Sequence, residues 1–80
     1  MKMTQEQEQA ARANGADDKK IAMMERSYDE DIIAKAQDII ADFDIKSRAD
    51  CQTHELYVAM KEMADRDSIM LAIRKELRKK

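Results

Sequence analysis

Between Ile32 and Phe43, six apolar side chains recur at a spacing that a helix gathers onto one face and a strand does not. Ile32, Ile33, Ala36, Ile39, Ile40 and Phe43 fall within an arc of about 120° when successive residues turn by about 100°. Lys35, Gln37, Asp38 and Asp42 lie outside that arc. Ser27 followed by Glu30 has the form of a capping box, in which the hydroxyl accepts from a free first-turn amide and the carboxylate reaches back. Asp29, Glu30 and Asp31 add negative charge where the helix dipole is positive. The stretch SYDEDIIAKAQDIIADF therefore has a start signal, an apolar face and a wet face.

The remainder of the chain has nothing to oppose more helix. It contains no Pro and one Gly, Gly15, and Val58 is its only valine, so turn formers and strand formers are both scarce. The expected fold class is all-α. Thr4 with Gln7 predicts a capped helix running to about Asn14, with Gly15 as a left-handed stop. Only Ala10, Ala11 and Ala13 give that helix an apolar surface, so residues 1–16 are expected to attach loosely. Asp17 or Asp18 can cap a second helix. If it ran straight into the next, Glu25 and Asp29 would fall in the apolar stripe, which predicts an interruption near Ser27.

After Phe43 the apolar period lapses through residue 50, and Ser47 with Asp50, or Thr53, supplies the next cap. Leu56, Tyr57, Met60, Met63 and Ala64 then share one face. Ile69, Met70, Ile73 and Leu77 share another, rotated by about 120°, so a break at residues 65–68 capped by Asp67 is expected. The expected architecture is a single small domain over residues 1–80. It is a bundle of three to five helices, centred on an antiparallel hairpin of about 28–43 with 53–65 and closed on one side by 68–79.

Eighty residues, 40% of them charged, make a thin core of isoleucine and methionine, and a chain of this size buries a low fraction of its surface. Self-association, with a homodimer as its simplest form, is the expected remedy. The formal charge of −2 is unevenly spread: residues 17–45 carry four bases and nine acids, and residues 46–80 carry nine bases and six acids. The two regions can attract each other within one bundle or between copies. A single cysteine, Cys51, cannot form an intramolecular disulfide, and no apolar run follows Met1-Lys2 as a signal peptide would require. Apolar runs reach only five residues, at 56–60 and 69–73, too few to span a bilayer. A cytoplasmic location and no membrane partner are expected.

No reactive constellation is present to define an enzyme, so none is expected, and neither is a cofactor. Cys51, His54 and Glu55 lie close together, but one Cys and one His fall short of a zinc ligand set unless two copies share it, and ordinary capping explains them. Asp38 and Asp42 point away from the isoleucine stripe and read as a wet face. Nine acids in residues 17–45 would suit a mimic of nucleic acid, although four bases dilute their field.

Two functional expectations remain. The first is a protein-interaction module, an adaptor or regulator, that buries a helix face through Ile32, Ile39, Met60, Met63, Met70 and Ile73. Some of these must also serve the core, the commoner role for Met at helical spacing. The alternative is a nucleic-acid-binding accessory protein using Arg74, Lys75, Arg78, Lys79 and Lys80, although no helix-turn-helix pattern is present. In size and style over its whole length, the chain resembles the short, charged, helical accessory proteins encoded by phages and prophages of enteric bacteria. That resemblance implies a cytoplasmic bacterial or viral setting and brings no activity with it.

Overall fold

The computed structural model describes residues 3–79. Its helices are α1 (Gln5–Ala13), α2 (Asp18–Arg26), α3 (Glu30–Asp42), α4 (His54–Met60) and α5 (Arg66–Arg78), with a 3₁₀ turn at Arg48–Gln52 ahead of α4. No strand occurs among the described residues. The all-α bundle is as expected.

Local starts follow their caps. Thr4 and Gln7 form the reciprocal box that opens α1, and the Asp17 carboxylate accepts from the Lys20 amide at the start of α2. Ser47 and Asp50 box the 3₁₀ turn, and the Thr53 hydroxyl accepts from the Leu56 amide to open α4. The stops of α1 and α3 share one geometry. Behind α1, the Gly15 amide donates to the Arg12 carbonyl and the Ala16 amide to the Ala11 carbonyl, with Gly15 at φ +97°. Behind α3, the Asp44 amide donates to the Ala41 carbonyl and the Ile45 amide to the Ile40 carbonyl, with Asp44 at φ +51°. Both are Schellman motifs, and the second places an aspartate where glycine is the easy choice. Its result is to turn Ile45 inward, where it is almost fully buried.

The interruption near Ser27 is present, but the capping box predicted there is not. Ser27 closes α2: its backbone is still helical, its hydroxyl donates backward to the Met24 carbonyl and accepts from Lys75 Nζ at 2.7 Å, and α3 starts only at Glu30, with Asp29 at its N-cap. Asp29 stands at the N-cap of α3 without a side-chain cap bond, because its carboxylate is held by Arg26 at 2.6 Å. The second break also shifts. α4 ends at Met60, residues 61–65 form turns, and Asp65 rather than Asp67 is the N-cap of α5.

The largest correction concerns which helices pair. The stripe on α3 packs chiefly against α5, not against the segment 53–65. Arg26 reaches both N-cap aspartates, Asp29 of α3 and Asp65 of α5, so the two helices start side by side. Residues 46–48, just past the end of α3, lie beside Arg74 and Arg78 near the end of α5. The pair thus runs in the same general sense, and the stretch from the end of α3 to the start of α5 is a crossover. α4, at seven residues, is part of that crossover; it contributes Leu56 and Met60 to the core without pairing along α3. α2 packs on α5, and α1, which buries no residue, packs on α2.

Both left-handed stops are testable by exchange of side chains. Gly15→Ala meets no atom within 4 Å, so its cost is conformational alone. It is expected to lower stability by about 1 kcal/mol, and Asp44→Gly to raise it by a similar amount, read as opposite shifts of the urea unfolding midpoint.

Candidate functional site

Of the six residues expected to form a partner face, four are spent on the core. Ile32, Ile39, Met60 and Ile73 are buried between α3, α4 and α5, with Ile73 at 0% exposure, and of the four only Met60 also lines a surface groove. The apolar stripe that marks a helix as amphipathic is the same stripe that a small bundle consumes. Met63 and Met70 are half-buried at the core's edge. Ile33 and Ile40, beside the buried isoleucines of α3, are likewise half-buried.

Apolar surface remains on the outer side of α4. Tyr57 is 65% exposed and Val58 46%, and the Tyr57 ring stacks on that of His54 at 6.4 Å between centroids. Tyr57 lines a groove of about 380 Å³ together with Leu56, Met60 and Met70, rimmed by Lys61, Arg66 and Asp67. Periodicity missed this face because Tyr57 stands at the edge of the helical face it shares with Leu56 and Met60, and α4 buries only those two.

The basic residues separate into three groups. Lys75 is not a free cation: its Nζ donates to Ser27 Oγ and stands 3.4 Å from the centroid of the Tyr28 ring. With Ser68, whose hydroxyl donates to the Met23 carbonyl at 2.9 Å, it makes a polar seam between α2 and α5. Lys79 is exposed and pairs with Glu76 at 3.3 Å, and Lys80 lies outside the described residues. Arg74 and Arg78 share a cleft of about 270 Å³ with Lys46 and Arg48, bases that the sequence reading had not joined to the C-terminal helix. Only folding brings residues 46–48 to this end of α5, and nothing local in the sequence signals it.

Cys51 turns inward, where its thiol lies 3.9 Å from the Ser47 carbonyl, and burial pushes its pKa up. A thiol so placed is protonated at neutral pH and a poor nucleophile. His54, three residues on, is exposed against Tyr57. Among the described residues no group of three His, Cys, Asp or Glu side chains gathers where it could hold a metal ion. No helix among them is long and apolar enough to cross a membrane.

The acids concentrate at the junction of α2, α3 and α5. Arg26 binds Asp29 at 2.6 Å, Asp31 at 2.9 Å and Asp65 at 3.3 Å, and its own pKa is raised by these partners. Hydrogen bonding to Arg26 holds the Asp31 carboxyl below the usual 3.8. Asp50, bound by the Lys46 and Ser47 amides, is lowered too.

Two outcomes are expected. A carboxyl with a lower pKa folded than unfolded binds fewer protons in the native state. Its stabilising effect is complete above the ordinary carboxylate value and fades as pH falls through the lowered one. Replacing Arg26 by Gln should therefore lower the urea midpoint at neutral pH. The difference from wild type should shrink progressively as the pH is taken below roughly 4. Lys75→Ala should cost about 1–2 kcal/mol in the same assay, since it removes a cation–π contact and a hydrogen bond to a buried hydroxyl.

In comparisons with protein-family models, curated proteins and solved structures, nothing matches this chain.

Proposed function

We propose that this chain is a non-enzymatic interaction module that self-associates through the outer side of α4. The observation that carries this reading is Tyr57 standing exposed in a groove lined by Leu56, Met60 and Met70, with Val58 exposed next to it in the chain. In an isologous contact, α4 of each copy would lay its aromatic residue into the groove of the other.

Surface area supports the same reading. The chain exposes 5887 Å², whereas a monomeric globule of 9.3 kDa exposes about 5,000 Å². The Cα radius of gyration, 12.9 Å, likewise exceeds the roughly 11.6 Å of a compact domain of this length. The exposed side of α1 carries no large apolar side chain, whereas that of α4 carries Tyr57 and Val58 beside His54 and Glu55. Charge fits a second copy as well. Glu55 in the first turn of α4, Glu62 just past its end, and Lys61 make no ion pair among the described residues, so acids of one copy can meet Lys61 and Arg66 of the other.

Sedimentation equilibrium of the full chain at micromolar concentration tests this. A dimer is expected for wild type. Tyr57→Glu, a change at an exposed position, should give monomer while the helical circular dichroism spectrum is retained. A wild-type monomer, or a Tyr57→Glu protein that still dimerises, overturns the reading.

A further inference from the structure

We propose that the cleft between residues 46–48 and the last turns of α5 is a phosphate-binding groove that takes the backbone of a nucleic acid. Lys46 and Arg48 line one side and Arg74 and Arg78 the other. The two positions on α5 are one turn apart, about 6 Å along the axis, comparable to the separation of successive phosphates on a strand. The opposite wall is held in place: the Asp50 carboxylate accepts from the Lys46 amide at 2.9 Å and the Ser47 amide at 3.1 Å, which fixes the backbone that carries both bases.

The three guanidiniums here are uncommitted. Arg48, Arg74 and Arg78 form no ion pair among the described residues, whereas Arg12 and Arg26 are each held by two or three carboxylates. Arg74 Nε is buried with no acceptor, a donor that a phosphate oxygen would satisfy once the side chain turns toward the cleft. Lys46 has one carboxylate nearby, Asp44 at 3.7 Å, and both side chains are about four-fifths exposed, a contact that contributes little. The net charge of −2 does not set the field here, because the acids concentrate in residues 17–45.

The shape of the site selects among polyanions. Leu77 is the one apolar side chain lining the cleft, which offers a lipid surface nothing to insert. A single phosphorylated side chain would engage one or two of the four cations and leave the rest repelling one another. Several phosphates in a row neutralise them all.

Fluorescence anisotropy with a short labelled oligonucleotide, single-stranded and as a duplex, tests the groove on the full chain. Affinity is expected to fall linearly on a log–log plot against salt. Lys46→Ala, Arg48→Ala and Arg78→Ala should each reduce the slope by about one, and Lys35→Ala should leave it unchanged. Arg48→Lys, which keeps the charge, should keep the slope. The proposal is overturned by absence of binding at low salt, or by a loss confined to Arg78→Ala. It is overturned equally by capture of phosphatidylserine vesicles or a phosphopeptide in place of the oligonucleotide.

Discussion

Two helices that start side by side and run the same way set the rest of this fold. α3 and α5 bury Ala36 and Ile73 completely and Ala72 almost so, and alanine at the crossing lets the backbones come close while isoleucine fills the flanks. Parallel neighbours bring two positive helix ends together, which is unfavourable unless negative charge is supplied. Asp29, Glu30, Asp31, Asp65 and Asp67 supply it, and Arg26 at the C-terminal end of α2 binds three of them. The acidic middle of the chain is thus a device for aligning helix starts. Among the described residues its acids meet a base of residues 46–80 only in the exposed Asp44–Lys46 contact.

The parts of this arrangement that were legible in the sequence are the ones decided within a turn of chain. Thr4 with Gln7, Asp17, Ser47 with Asp50, Thr53 and Gly15 all act where their type and spacing place them, because each bond closes over three or four residues. Ser27 with Glu30 satisfied the same local rule and failed, because Ser27 ends α2 in a helical backbone conformation, its hydroxyl tied to Lys75, 48 residues away, and α3 starts at Glu30 itself. Asp29 and Asp65, at the N-caps of α3 and α5, make no capping bond and bind Arg26 instead. Ile45 was passed over because it stands outside any helical period; a left-handed Asp44 is what carries it into the core.

Pairing was harder to read than periodicity. The isoleucine face of α3 was plain, yet its partner depends on how far the next helix runs. A helix of seven residues is too short to match one of thirteen, so α4 caps the core at Leu56 and Met60 and leaves α5 to run along α3. The same event decided the surface: residues chosen for an apolar face became core, and Tyr57 became surface. It also brought Lys46 and Arg48 to Arg74 and Arg78, a grouping with no counterpart in linear order.

α1 is held by its own two ends more than by anything beneath it. It has a boxed start and a glycine stop, the Arg12 contacts to Glu8 and Asp18, and no side chain shut away from water. A nine-residue helix of that kind is marginal by itself, so its opening is nearly independent of the opening of the core. Its amides are then the first to exchange with deuterated solvent, while those of α3 and α5 wait for global unfolding. The link between α1 and α2 is accordingly the place where the chain tolerates a cut or an inserted label without disturbing what lies beyond it.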